Sequence, residues 1–545
     1  MQPWPFKRTS SFFAALIILW ALLTFTGLCA APLFDYDEAA HAQTAAEMLR
    51  DGKWLLPTMN GRPFHEKPAF LFYFISASFT QFGENAFAAR LPSALFTLAT
   101  GLYLYYLGRR IGNPLVGTTA SLIYLSMLMP ALLAHAAILD AAFNFWITAS
   151  VLSFVLWRQG GRRGDAVLSM LAAGVAVSVK GPAGAVLPFV IIALDRLADR
   201  DFTNSLSRFP WQWGIPAFLA GALPWYTLVT AFHGFGFLKK FIMVENVHRF
   251  MHAMEGHGGS WYYYLLILIP SSLPWIAWLP WWVRQTVTRR AEQGELDRMS
   301  RVSLIWTMAV IALFSLSQTK LPHYISSIYP AIALGISAQW HRKEPEQPWI
   351  RAATLMLVLV CIPLVLALLA MPELYSAVAG RVKHPRAVAI LTQGFPPGPW
   401  IPAAGAVLFA SLLVLLHRAR RAAPSTALAL FILFGLLLQT ALFWSLAPWA
   451  GRLMQEQPLE IATAIRAYPH AVPVYSLVNS PSISFYSGRS YREVNAGDLE
   501  RLASSSAPYL LVARTNSIAD ISSLPLDAVV REKDFVLLRN ALARD

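Results

Sequence analysis

The chain has 545 residues, of which 56% are hydrophobic and only 14% charged, against the roughly 25% charged of a soluble domain, so composition excludes an ordinary soluble protein and points to a bilayer. From Arg452 onward ten basic residues balance ten acidic ones, so the net charge of +14 lies in the hydrophobic part. It reflects membrane topology and anionic lipid and excludes a nucleic-acid partner.

A hydrocarbon core of ~30 Å takes about 20 apolar residues per helix. Thirteen uncharged stretches near that length run through the chain, at 11–31, 91–107, 114–134, 141–157, 166–179, 181–194, 209–232, 261–283, 302–319, 324–340, 352–371, 400–416 and 426–449. The fifth and sixth are short and meet at Lys180-Gly181-Pro182, either as two thin spans or as one broken hairpin. The first follows Lys7 and Arg8 but carries no convincing small-x-small cleavage site, so it reads as a retained anchor rather than a signal peptide.

Short loops rich in Lys and Arg stay cytoplasmic. With Lys7 and Arg8 inside, alternate loops hold Arg109/Arg110, Arg158/Arg162/Arg163, Arg196/Arg200, Arg284/Arg289/Arg290/Arg298/Arg301, Arg342/Lys343 and Arg418/Arg420/Arg421. An odd number of spans then puts the N-terminus in the cytoplasm and the tail outside, in the periplasm of a Gram-negative cell. The expected organisation is an all-α polytopic membrane domain over 1–450 and a small α/β domain over 451–545, with amphipathic helices in a first outer loop at 32–90. The tail has β-rich runs at 472–477, 509–512 and 535–538 and a helical segment at 496–504. Cys29 and Cys361 both sit in apolar runs, which leaves no disulfide framework and no zinc-type cysteine spacing.

The outer loops carry the chemistry. Asp35-Tyr36-Asp37-Glu38 resembles a capping box in which Asp35 caps and Glu38 reaches back, and Ala42, Ala45, Ala46 and Leu49 continue a helical period. Asp37 then falls in a first turn, where the helix dipole favours a carboxylate, with His41 one turn on along the same face. Pro68 suits the start of a second helix and holds Glu66 and Lys67 at its entrance. Asp140 lies at a membrane boundary with no basic neighbour in sequence; it is a functional candidate or an interfacial N-cap. Lys180 is a positioning group or a snorkelling one. Arg249, in Glu245-Asn-Val-His-Arg-Phe250, has a guanidinium suited to bidentate phosphate binding or to anchoring at headgroups. The run from Ser317 to Tyr324 turns Lys320, His323 and Tyr324 to one side. The irregular spacing of His41, His65, His248, His252 and His257 fits interfacial polarity better than a metal site, and 261–264 reads as an aromatic belt. Acids and cations sharing one outer face suit a lipid-linked phosphate that must leave as an anion.

The runs Phe34-Asp-Tyr-Asp-Glu38, Ala46-Glu-Met-Leu49, Trp54-Leu-Leu-Pro57, Asn60-Gly61, Glu66-Lys-Pro68, Asp140, Val179-Lys-Gly-Pro182, Glu245 to Phe250 and Lys320 to Tyr324 resemble the polyprenyl-phosphate sugar transferases. Among these the chain is most similar to the aminoarabinose transferases that modify lipid A, relatives of the protein O-mannosyltransferases. The resemblance spans about residues 30–330 and implies a GT-C fold with about thirteen transmembrane helices. By position it implies Asp37 and Asp140 as essential acids, Lys67, Arg249 and Tyr324 at the donor phosphate, and Glu66 as a metal ligand. Lys320 joins the phosphate group by charge, Glu38, His41 and Lys180 are the substrate-positioning candidates, and His257 completes a metal candidate with Glu66 for a divalent ion such as zinc. Where the family usually has Arg-Tyr this chain has Ala40-His41, and where it often has His this chain has Glu245.

The expected reaction moves a sugar, aminoarabinose by resemblance, from undecaprenyl phosphate to lipid A phosphate on the periplasmic side of a bacterial inner membrane. Alternatives are another lipid-linked sugar with a protein or other envelope acceptor, or a flippase. The near absence of charge within the spans argues against a conduit.

Overall fold

A computed structural model describes residues 6–254, 256–288, 294–382, 388, 391, 396–505, 507–515, 526–532, 534–540 and 542; Arg289 and Arg290 of the fourth basic loop lie outside them. Among the described residues six helices are long and apolar enough to cross a membrane, and nine are if each of three bent helix pairs counts as one span. The apolar stretches found in sequence coincide with helices, including Ala86–Arg110, Asp140–Gly160, Glu295–Leu316, Gln347–Leu369 and Trp400–Ala419.

Three of the apolar stretches are broken. Pro114–Ser126 and Leu128–Ala134 meet at 69°, Trp211–Ala222 and Pro224–His233 at 49°, and Tyr263–Ser271 and Trp275–Thr288 at 111°. Proline accounts for the second and third breaks, because Pro224 and Pro274 stand at the joints and cannot supply the helical N–H. The first break is held open by neighbours. The Gln439 amide donates to Leu125 O at 2.9 Å and Met127 O at 3.2 Å, and Leu128 N donates to Leu273 O at 3.0 Å. Backbone groups freed at a break must be satisfied within the protein, and these contacts do so.

The short stretches around Lys180 form two helices, Arg163–Lys180 and Ala183–Ala198, joined by Gly181-Pro182. Gly181 has φ +75°, and a Cβ there would come within 2.9 Å of the Phe241 ring. Glycine is therefore required both by the left-handed backbone and by the close approach of the segment that carries Arg249.

Between the first and second apolar helices the chain forms the Asp37–Asp51 helix, a small hairpin of β1 (Thr58–Met59) and β2 (Arg62–Pro63), and the Phe70–Phe82 helix. The capping box is only half formed. Tyr36 occupies the N-cap position and offers no side-chain cap, Glu38 reaches back to Phe34 N at 3.1 Å, and Asp35 turns away to the C-terminal domain. Buried Glu47 fixes the hairpin, accepting from Thr58 Oγ1 at 2.8 Å and from the turn amides Asn60 N at 2.7 Å and Gly61 N at 3.2 Å.

Ala447–Arg466 is a continuous helix that carries the chain out of the apolar region. Beyond it β3 (Val474–Ser476), β4 (Arg492–Glu493), β5 (Leu510–Arg514), β6 (Leu526–Arg531) and β7 (Phe535–Asn540) form a mixed sheet in the order β4-β3-β5-β7-β6. β3 is parallel to β4 and β5, while β7 is antiparallel to β5 and β6. Alternation along β5 sends Leu510 and Val512 to a core with Ile461 and Ile465, and Leu511 and Ala513 to a core with Leu499 and Leu502. β4, β6 and the Pro481–Ser487 helix have no counterpart in the sequence reading.

Candidate functional site

Five separated parts of the chain converge on one cavity of about 560 Å³. The first outer loop supplies Tyr36, Asp37, His41, Glu66 and Lys67. The start of the Asp140–Gly160 helix supplies Asp140, the end of Arg163–Lys180 supplies Lys180, and the stretch from Arg249 to Tyr324 supplies Arg249, His257, His323 and Tyr324. Asn479, from the C-terminal domain, completes the lining.

Local structure explains each placement. Asp37 is the first residue of its helix, and His41 follows one turn later. Lys67 and Glu66 sit between the Glu47-clamped hairpin and the Phe70–Phe82 helix, so their position is inherited from Glu47. Arg249 ends a π-helical turn, Met243–His248, and its Nη2 donates to Glu245 Oε2 at 3.0 Å. Hydrogen bonds tie this segment to the residues that lead into the Pro322–Ile325 turn bearing Tyr324. Gln318 N donates to Phe250 O at 2.9 Å, Thr319 Oγ1 to His252 O at 2.8 Å and Lys320 N to His257 O at 2.8 Å.

Asp140 has a partner that sequence proximity hides. Lys180 Nζ donates to Asp140 Oδ1 at 2.6 Å, and His323 Nε2 lies 3.9 Å from Asp140 Oδ2. The same ammonium lies 5.1 Å from the Tyr324 ring centroid and 5.6 Å from that of Phe143, within cation–π range. Burial pushes the His323 imidazole below its ordinary range, although Asp140 opposes the shift. His41 is lowered by burial as well, opposed by Asp37. Its Nδ1 faces Ala137 O at 2.8 Å; a carbonyl can only accept, so Nδ1 carries the proton and Nε2 keeps its lone pair. Burial lowers Lys67 despite neighbouring Glu66, and Arg249 adds to the lowering. Burial, with Glu66, raises the Tyr36 phenol, which stays neutral.

Two candidates lie away from this cavity, and the reasons are structural. Glu38 is 7% exposed and paired with Arg90, whose Nε and Nη2 donate to its two oxygens at 2.9 Å each. It also accepts from Ala137 N at 2.9 Å. Burial works to raise this carboxyl, but Arg90 and the backbone donors hold it below the ordinary carboxylate range. With its acceptor capacity taken up internally, Glu38 supports the loop rather than touching a substrate. Lys320 spends its ammonium on the end of the Glu295–Leu316 helix, donating to Ser315 O at 2.9 Å and to Ser317 O. It caps carbonyls and is turned from the phosphate-type cations.

Glu66 and His257 both line the cavity, yet among the described residues no group of three or more His, Cys, Asp or Glu side chains is arranged to hold a metal ion. The pair alone does not make a metal centre. Tyr36, His323 and Asn479 were absent from the candidate roles. His323 was legible only as a neighbour of Tyr324, and Asn479 carried no signal.

A second cavity of about 150 Å³ adjoins the first, sharing Glu66, Lys67, Lys180, Arg249 and Tyr324; Phe143, Phe241, Phe250 and Phe314 give the rest its apolar character, with Glu245, Asn246 and Ser317 at its polar side. The cations thus stand where a polar chamber meets an apolar one.

Residues 9–234 match the family described as dolichyl-phosphate-mannose-protein mannosyltransferase. The chain is 30% identical over 345 residues to an undecaprenyl phosphate-alpha-4-amino-4-deoxy-L-arabinose arabinosyl transferase of Edwardsiella ictaluri, a match covering 62% of this chain and 61% of the relative. It is 31% identical over 324 residues to a transferase of the same description from Pseudomonas fluorescens, covering 58% of each. The chain therefore spans about three fifths of the length of these curated relatives. The crystal structure of ArnT from Cupriavidus metallidurans bound to undecaprenyl phosphate superposes with a TM-score of 0.82 over 98% of this chain and 99% of that one, at 22% identity. The two share a fold, the GT-C arrangement that the sequence motifs implied.

Proposed function

We propose that this chain is an integral membrane glycosyltransferase that moves a sugar, 4-amino-4-deoxy-L-arabinose by relationship, from undecaprenyl phosphate to a phosphate of lipid A. The observation that carries the reading is the shared border of the two cavities. Lys67, Lys180, Arg249 and Tyr324 stand between a chamber lined by carboxylates and histidines and a more apolar one to which four phenylalanines contribute, with Glu66 and Glu245 beside the cations. A polyprenyl phosphate has that same division, an anion joined to a hydrocarbon.

In this reading the isoprenoid lies against the phenylalanines and its phosphate rests between Lys67 and Arg249. The acceptor oxygen attacks the anomeric carbon from the face opposite the phosphate. The carbon–oxygen bond to the carrier breaks, undecaprenyl phosphate departs as an anion, and the configuration inverts. Negative charge grows on the departing phosphate, so preorganised cations there lower the barrier. An acceptor phosphate is already ionised and needs no strong base. Asp140, neutralised by Lys180, then suits orienting the donor, and Asp37 suits holding an amino group of its sugar. The neutral imidazoles of His41 and His323 add no competing positive charge.

The reading includes thirteen spans in the bacterial inner membrane, a cytoplasmic N-terminus, a catalytic membrane domain over 1–450 and a periplasmic domain over 451–545. A protein acceptor is the second reading, favoured by the match of residues 9–234 to a protein mannosyltransferase family. Incubation of the purified protein in nanodiscs with undecaprenyl-phosphate aminoarabinose and either lipid A or acceptor peptides, followed by mass spectrometry, separates the two. Absence of any sugar transfer would end both.

A further inference from the structure

A cavity of about 230 Å³ lies on the seam between the C-terminal domain and the first outer loop, where Asp35, Tyr36, Gln455, Asn479, Arg514 and Asp534 contribute to its lining. Tyr36 and Asn479 also border the reaction cavity, so these two side chains line both spaces. The seam is rigidly built. Asp35 accepts from Ser480 Oγ at 2.5 Å, Ser482 N at 2.9 Å and Ser482 Oγ at 2.7 Å, and Glu47 accepts from Ser490 Oγ at 2.7 Å. The loop bearing Asn479 is therefore anchored two residues before Asp37.

One of the side chains lining this cavity carries an unsatisfied buried polar atom. Gln455 is 3% exposed, and its amide oxygen has no hydrogen-bond partner. On the same helix Gln457 accepts from Asp534 N at 2.8 Å, so the local fold can satisfy a glutamine when it needs one only for structure. Buried acceptors are almost always paired, and an orphan beside a polar cavity is explained by a ligand that donates to it. Charge narrows the ligand class. Arg514 donates to Asp534 at 2.5 Å, and Asp35 adds a carboxylate, so the lining offers no surplus cation for a phosphate. Hydroxyls fit amides and a neutralised ion pair.

We propose that this cavity is a subsite for an uncharged, hydroxyl-rich portion of the acceptor, a carbohydrate ring donating to Gln455 and meeting the Asn479 amide. The proposal rests on the glycosyltransferase reading above and names the acceptor's chemistry. The probe is a water-soluble β-1,6-linked N-acetylglucosamine disaccharide, followed by saturation-transfer NMR on the full-length protein in nanodiscs. Wild type and Asp37→Asn should bind it alike, while Gln455→Leu and Asn479→Ala should bind about tenfold more weakly, as loss of a ligand hydrogen bond predicts. Gln455→Leu should unfold at the same temperature as wild type or higher, since it removes an unmet acceptor. No signal with wild type, equal binding by both variants, or a lowered midpoint for Gln455→Leu would overturn the subsite. Sugar transfer is measured alongside: its absence from wild type sinks the glycosyltransferase reading, and a disaccharide signal lost in Gln455→Leu still upholds the subsite.

Discussion

Lys180 and Asp140, forty residues apart in sequence, are joined at 2.6 Å, the last residue of one helix meeting the first residue of another. Asp140 is nearly inaccessible and Lys180 about a fifth exposed, so removing the lysine strands a buried carboxylate. Lys180→Met should lower stability by ~3 kcal/mol and depress transfer. Asp140→Asn combined with Lys180→Met should regain most of the stability but none of the activity. Thermal unfolding and turnover measured on both variants check this; recovery of activity in the double variant would show that the pair serves folding alone.

Lys67 and Arg249 should matter at the phosphate. Lys67→Ala or Arg249→Ala should each reduce single-turnover transfer by about 10²–10³-fold, the usual cost of removing a donor aimed at developing charge. Because burial lowers the Lys67 ammonium below its ordinary value of 10.5, the cation is lost as pH rises toward a value under 10.5. The alkaline limb of kcat/KM should therefore begin earlier than for an ordinary lysine. Lys67→Arg should move that limb upward while keeping part of the rate.

Glu38 is expected to act on stability. Its two oxygens meet Arg90 and two backbone amides, and Arg90 also donates to Leu28 O and Ala31 O. Glu38→Ala leaves a buried guanidinium without its counter-ion and should cost about 3–5 kcal/mol. The folded fraction should retain its KM for the donor, in contrast to Lys67→Ala; a raised KM with unchanged unfolding would restore Glu38 to the substrate.

These contrasts mark what the chain discloses by itself. Hydrophobic runs located the apolar helices because a bilayer imposes length and composition on each segment separately. Asp37 and Lys67 were legible because a first helical turn and a proline-led helix entrance are local features. Pairings were not: Arg90 lies fifty-two residues from Glu38, so the acid read as a capping and substrate-positioning candidate when its charge was already compensated. Lys320 misled for a similar reason, since the carbonyls it caps belong to backbone and leave no trace in residue type. Met127 is unremarkable in sequence, and Gln439, more than three hundred residues away, together with Leu273 O explains how the helix breaks there. Asn479 could not be found because the tail's return onto Asp35 depends on Ser480 and Ser482, ordinary residues in a serine-rich stretch.

Acid should destabilise the fold through its buried histidines. His135, stacked on Phe443 at 3.7 Å, is lowered by burial from 6.5 to about 4, and His41 and His323 are lowered in the same sense. Above pH 6.5 these rings are neutral in both the folded and unfolded chain, so they contribute no pH dependence. As pH falls below 6.5 the unfolded chain binds protons that the folded one refuses, and stability declines until the folded rings titrate. For His135 that window runs from 6.5 to about 4, and the full loss amounts to about 3 kcal/mol at most. His135→Gln should flatten the fall in unfolding midpoint between these limits without altering transfer at neutral pH. A midpoint that falls as steeply in the variant as in wild type would assign the acid lability to the other two rings.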